Sequence, residues 1–408
     1  MMLLKDRNFL FLWLGQSISA IGDRFYKIAM MWYIIERTGS SMALGISVLC
    51  FTLPSILFMP WAGVLADTNS KKKILVSTDL INGILMIIIA FLVTVKQVPL
   101  YSLYACMIFS SSVTALFNPS LSASVPLVAG KENLSKANSL TQATKQMANI
   151  IGPALAGILI GLANMKLLFL LNGLSFILSA IFEIFVVIPK IKVRAGQTKF
   201  FSDFKDGLSY LTSSKELLYL IIVGGVIINF FLAPLNIYLT ILCNQILEVG
   251  ATGLGFIDSS IAIGALSGSV YLLINTTHKT VTIVIIGLLL EGIALIIGGI
   301  FTTYLPILLM GFILGLGISM ASIGIITLYQ LLIPSDKLGR AMSLLSTLSI
   351  ITLPIGTLAG SFLINHLSLS LILSVSGACI LLSALTLIKP FSRGDHGEHA
   401  VKSRERVF

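Results

Sequence analysis

Apolar residues occupy this chain in long blocks separated by short clusters of charged, polar or Gly/Pro residues. A helix needs roughly 20 apolar residues to cross the hydrocarbon core. Backbone groups there must be paired internally, which leaves helices or a closed barrel. The blocks lack the period-2 alternation of barrel strands, so helices are expected. The block boundaries predict spans near 8–36, 40–66, 73–95, 98–126, 136–161 and 164–188, then 216–243, 251–275, 280–301, 305–333, 340–364 and 368–388. The expectation is an all-α integral membrane protein of about twelve transmembrane helices. Met1 to Arg7 lead into an apolar stretch interrupted by Asp23 and Arg24, without a small-residue cleavage site, so the stretch reads as a retained first span and not as a signal peptide.

Composition agrees with lipid as the main solvent. Mean hydropathy is +0.99, and charged residues are 11% of 408, against about 25% in soluble domains. Cys50, Cys106, Cys243 and Cys379 each lie inside an apolar block with no paired spacing, which suggests neither disulfides nor a metal site.

Charge then orients the spans. With the N-terminus inside, all but six of the 27 Lys and Arg fall in cytoplasmic segments; Arg37, Lys96 and Lys166 lie outside, and Arg24, Lys27 and Lys145 within spans. Positive charge in short loops sets topology, so both termini are expected in the cytoplasm and the protein in the cell membrane. The same asymmetry accounts for the net charge of +10 without a nucleic-acid partner. In the longest interior connection, 189–215, Phe200, Phe201, Phe204, Leu208 and Leu211 recur at helical spacing among charges. This predicts an interfacial amphipathic helix, with a disordered linker as the alternative.

An internal repeat divides the chain. Leu134-Ser-Lys-Ala-Asn-Ser-Leu140 opens a span that reaches Leu155-Ala-Gly157, and Leu338-Gly-Arg-Ala-Met-Ser-Leu344 opens one that reaches Leu358-Ala-Gly360. The expected organisation is a six-helix bundle over 1–188, a linker over 189–215, a second bundle over 216–389 and a tail over 390–408. Two repeats that rock against each other expose a midplane site to each side in turn.

Gly63-Val-Leu-Ala-Asp67-Thr-Asn-Ser-Lys71-Lys72-Lys73 resembles the loop signature of the major facilitator superfamily. The resemblance implies that Gly63 allows close packing and that Asp67, with the basic cluster Lys71, Lys72 and Lys73, holds a cytoplasmic gate. Thr68 and Ser70 depart from the pattern, which predicts a softer gate. Gly152-Pro153-Ala-Leu-Ala-Gly157 followed by Gly161 resembles the family's antiporter motif. Its physical content is a tight, bendable seam, and a plain packing seam is the alternative. Gly22-Asp-Arg-Phe-Tyr26, Trp32, Glu36-Arg-Thr-Gly-Ser40 and Ile188-Pro-Lys190 are similar to the macrolide-efflux and enterobactin-exporter branch. That branch commonly carries an Arg in the fourth helix, where this chain has Ser110.

Within the first span, Gln16, Ser19, Asp23 and Lys27 step by three or four residues and share one stripe. Ionisable groups at membrane depth mark pathways by default; the alternative is an Asp23–Lys27 pair that neutralises itself. Asn138, Gln142, Lys145 and Asn149 form a second stripe on the fifth span, where Lys145 either faces substrate or snorkels to the cytoplasm. Asn229 and Asn236 flank Pro234 on the seventh, and Asn118-Pro119 is expected to interrupt the fourth. The resemblance places the first, fourth, seventh and tenth helices around the cavity, so these groups are substrate-contact candidates, with interhelical glue as the alternative.

Asp79, Glu183, Asp258 and Glu291 are the remaining intramembrane acids. Low-dielectric surroundings favour a neutral carboxyl, which makes such a group a reversible proton carrier. Asp23 is the first candidate for proton coupling, followed by Asp258 and mid-span Glu291; Glu183 is set back by its place near the cytoplasmic end.

No metal-ligand spacing, nucleophile elbow or phosphate loop occurs, so no enzyme, cofactor or metal is expected. The resemblance implies a monomeric secondary transporter that exports small amphipathic or hydrophobic compounds by alternating access and proton antiport, with protons and lipids as its other partners. The rivals are an importer or facilitator of a polar nutrient on the same fold, or a non-transporting membrane sensor or assembly subunit.

Overall fold

A computed structural model describes residues 6–95, 98–130, 133–162, 164–189, 215–274, 280–301, 303–333 and 335–392. The apolar face expected of the interfacial helix, Phe200 to Leu211, and the tail from Arg393 lie outside these residues. No strand occurs among the described residues. The helices are α1 (Arg7–Thr38), α2 (Ser41–Thr68), α3 (Lys71–Leu92), α4 (Leu100–Ala129), α5 (Leu134–Leu162) and α6 (Met165–Phe185). After the interval come α7 (Lys215–Ile246), α8 (Gly250–Ile274), α9 (Thr280–Ile300), α10 (Tyr304–Leu332), α11 (Ser335–Leu363) and α12 (Leu369–Ser392).

Among the described residues, ten helices are long and apolar enough to cross a membrane. α1 falls short on composition. The middle of α1 carries Asp23, Arg24 and Lys27, and α11 is apolar over Ile351–Leu363. Helix ends depart from the expected spans by a few residues because capping sets them. Asp6 accepts from the backbone N–H groups of Asn8 (2.8 Å) and Phe9 (3.2 Å) at the start of α1. At its end Gly39 takes the left-handed conformation (φ 61°) and donates its N–H to Ile35 O.

One expectation about proline needs revision. Asn118-Pro119 does not interrupt the fourth span, since α4 runs unbroken through Pro119 and Pro126. The Ser120 and Ser124 hydroxyls donate to the carbonyls of Leu116 (2.9 Å) and Ser120 (2.6 Å), adding local bonds beside the prolines. α7, by contrast, is irregular. It contains π-helical turns at Ile221–Ile227 and Leu242–Ile246 and a turn at Ala233 and Pro234. Asn229 Nδ2 donates to the carbonyls of Gly224 (3.0 Å) and Gly225 (3.1 Å), so its amide serves its own helix at the π turn.

The chain forms two compact units, one of residues 1–196 with 239–259, the other of 197–238 with 260–408. In the first unit α1 packs on α5 and α6, α3 on α4 and α6, and α2 on α4. Glycines permit the closest approaches. A Cβ on Gly83 would lie 3.1 Å from Gly173 O, and one on Gly173 3.0 Å from Gly83 O, which brings α3 and α6 together. In the second unit α9 packs on α10 and α12, and α11 on α7. Gly292 and Gly377 repeat the reciprocal glycine contact between α9 and α12. Large apolar side chains such as Leu57, Trp61, Phe91, Leu174 and Phe185 in the first unit and Leu273, Leu309 and Leu382 in the second are exposed, a surface suited to lipid contact.

Candidate functional site

The first unit encloses a cavity of about 240 Å³ walled by α1, α3, α4, α5 and α6. The α1 stripe forms one wall through Gln16, Ser19, Asp23 and Lys27. Helical periodicity alone puts these four side chains on one line. Facing them stand Asp79 and Asn82 of α3, Thr114 and Asn118 of α4, and Thr141, Thr144 and Lys145 of α5. Trp13, Phe117, Leu121 and Phe176 supply the apolar surface.

Hydrogen bonds fix this wall across helices. Trp13 Nε1 donates to Thr144 Oγ1 at 3.0 Å, joining α1 to α5. Gln16 Nε2 donates to Glu183 Oε1 at 3.2 Å, joining α1 to α6. Ser110 Oγ donates to Asn82 Oδ1 at 2.8 Å, and Asn82 Nδ2 to Thr114 Oγ1 at 3.3 Å, joining α3 to α4. The fourth-helix position where the branch commonly has Arg is thus filled by a neutral Ser-Asn-Thr network. Asp23 feels Lys27 and Arg24 through charge, with no carboxylate–cation hydrogen bond between them among the described residues.

Arg24 leaves the cavity stripe and lies against α5. A Cβ on Gly152 would come within 2.6 Å of Arg24 Cβ and 2.9 Å of its Cγ, so the first glycine of the antiporter-like motif makes room for the arginine. The charge of Arg24 acts on Asp258 of α8. On both sides of Pro153, α5 forms a close seam with residues 251–259 of α8. Thr252 Oγ1 donates to Gly157 O (2.9 Å) and Ser259 Oγ to Ile150 O (2.6 Å). Gly157 would place a Cβ 2.5 Å from Ala251 O, and Gly161 one 3.0 Å from Thr252 Oγ1.

Of the residues singled out from sequence, Gln16, Asp23, Lys27, Asn118 and Lys145 meet at the cavity. Asn149 stands off it, its Nδ2 donating to Gln146 Oε1 at 3.1 Å. Asn229 and Asn236 belong to the second unit. Glu291 is buried on α9, with Gly317 of α10 close to its Cγ. The side chains of Gln142, Asn138, Gly63 and Asp67 are outside those described. In the basic cluster Lys71 is buried, Lys72 Nζ donates to Ile184 O at the end of α6, and Lys73 is exposed. Asp79 and Asn82 were not among the cavity candidates. Their sequence signal was polarity within an apolar block, but only the packing of α3 reveals which face they share with α1.

The model of a family described as transmembrane secretion effectors matches residues 2–406. The chain belongs to that family. Its members are transporters of the major facilitator type, so this is a multi-pass membrane transporter of small molecules and not an enzyme. Macrolide efflux protein A of Streptococcus pyogenes is 26% identical over 386 residues, covering 93% of this chain and 94% of the relative. Macrolide efflux protein A of Enterococcus faecalis is 27% identical over 326 residues, covering 78% of this chain and 99% of the relative. Among solved structures, a bacterial homologue of the iron transporter ferroportin in an inward-facing state has a TM-score of 0.74 at 20% identity, covering 95% of this chain and 99% of that one. At that identity the likeness concerns the fold.

Proposed function

We propose that this transmembrane secretion effector is a proton-coupled exporter of amphipathic or hydrophobic compounds, macrolides among them. The carrying observation is the cavity where Asp23, Lys27 and Asp79 meet at membrane depth in a chain similar to macrolide efflux proteins over nearly its whole length. Its 240 Å³ is below the roughly 300 Å³ at which drug-sized pockets begin, so this wall is suited to the polar end of an amphipathic substrate. The reading includes two six-helix repeats divided by the 189–215 linker, both termini in the cytoplasm, a monomer, and alternating access. Asp23 carries the coupling proton, Gln16, Asn118 and Lys145 orient the substrate's polar groups, and the basic cluster after α2 forms the gate.

The test is retention of radiolabelled erythromycin by energised cells with this chain or an empty vector. Lower retention that an uncoupler restores to the vector level supports the proposal. Equal retention of erythromycin and of a panel of hydrophobic dyes would contradict it, and raised retention would favour the importer.

A further inference from the structure

Two carboxyls at and behind the cavity wall have no proton-carrying role in the reading above. Asp79 of α3 touches the cavity but is only 1% exposed, and Glu183 of α6, also 1% exposed, is off the cavity wall. The charge of Asp79 acts on Glu183 where α3 packs on α6, and Ser179, one helical turn ahead of Glu183 on α6, stands beside Asp79. Glu183 Oε1 accepts from Gln16 Nε2, a residue that itself lines the cavity. The second oxygens, Asp79 Oδ2 and Glu183 Oε2, are buried without a hydrogen-bond partner among the described residues. Glycines seal the pair: Gly15 and Gly22 bring α1 onto α6 at Ser179, Ser175 and Asn172, and Gly83 and Gly173 bring α3 onto α6.

The charges around the pair do not neutralise it. α1 presents Asp23 to Asp79, a like charge, with Lys27 farther along the same stripe. α4 presents neutral Thr114 and Asn118, and α5 presents Lys145 across the cavity. On α3, Lys71 and Lys72 lie two turns before Asp79, and Lys72 is engaged with Ile184 O. No basic side chain hydrogen-bonds to either carboxyl among the described residues. An unpaired buried carboxylate costs several kcal/mol, and a second one beside it adds repulsion. A carboxyl oxygen with no donor facing it can carry a proton of its own.

We propose that Asp79 and Glu183 form a proton store behind the cavity, a second protonatable site besides Asp23, filled and emptied through Asp79. A proton from the cavity forms an O–H bond on Asp79. Transfer breaks that bond as one forms on Glu183, and the reverse sequence returns the proton. The use of the store in export rests on the antiport reading, whereas its existence does not.

Two measurements on the purified full-length chain separate these claims. Infrared spectra across a pH titration read protonated carboxyls directly. Glu183→Gln, near-isosteric and still able to accept from Gln16, is expected to remove one carboxyl's share of that band, and Asp79→Asn to move the titration of the remaining acid. An unchanged band in Glu183→Gln overturns the store. In liposomes with radiolabelled erythromycin, Glu183→Gln is expected to keep exchange counterflow and lose accumulation driven by a pH gradient. Retained accumulation, or loss of counterflow at an unchanged melting temperature, overturns its role in coupling. A wild-type protein that moves no erythromycin would instead count against the export reading, with the infrared result still deciding the store.

Discussion

At Gly22 a side chain would collide with Ser175 Oγ and Asn172 Oδ1 of α6, where α1 packs on α6. Gly22→Val is therefore expected to destabilise the folded protein by about 1–3 kcal/mol, the usual cost of overpacking, read as a lower melting temperature in detergent. An unchanged melting temperature would mean that α1 and α6 can part without cost. Residues of this kind were partly legible from sequence. The stripe Gln16, Ser19, Asp23 and Lys27 follows from helical period alone, and the structure places all four on one cavity wall. Asp79 could not be placed with them because the pairing of α1 with α6 and of α6 with α3 is a tertiary fact. Glu183 was set back for its nearness to a helix end, yet it is buried. Asn229 Nδ2 is engaged at a π turn that no local pattern announces.

Among the elements, α5 and the first turns of α8 have little room to yield. A Cβ on Gly157 would stand 2.5 Å from Ala251 O and 2.9 Å from Thr252 Cα, both backbone atoms, whereas one on Gly161 would meet the Thr252 hydroxyl at 3.0 Å. Gly157→Leu is expected to part the seam, break the bond from Thr252 Oγ1 to Gly157 O, and abolish erythromycin resistance in cells that still insert the protein. Gly161→Ala should retain resistance, since a small shift of one hydroxyl accommodates it. Equal resistance in both variants would show that the seam does not matter to transport. Small residues flanking Pro153 made this element visible in the sequence, but its partner was not, because nothing in α5 encodes the apposition of Gly255 and Thr252. Proline was a poor guide to continuity. Serine hydroxyls accompany an unbroken helix at Pro119, while α7 has a turn at Pro234 and π turns at Ile221–Ile227 and Leu242–Ile246.

For the whole molecule, long apolar blocks and short polar connections were enough to anticipate the order of helices, because lipid leaves the backbone few choices. The exposed apolar side chains of both units are the structural counterpart of that pattern. Charge at depth is the exception, concentrated on α1 to the point that this helix falls below the hydropathy of a membrane span. Such a helix is stable within a protein only if its polar stripe faces a cavity or a partner helix, which makes α1 the place where coupling is to be tested. The most direct measurement is erythromycin uptake into inside-out membrane vesicles under an imposed pH gradient, for the wild type and Asp23→Asn. Accumulation only with an acidic lumen, lost in Asp23→Asn at an unchanged protein level, is the predicted result. Accumulation without a gradient, or undiminished in Asp23→Asn, would contradict proton antiport through that carboxyl.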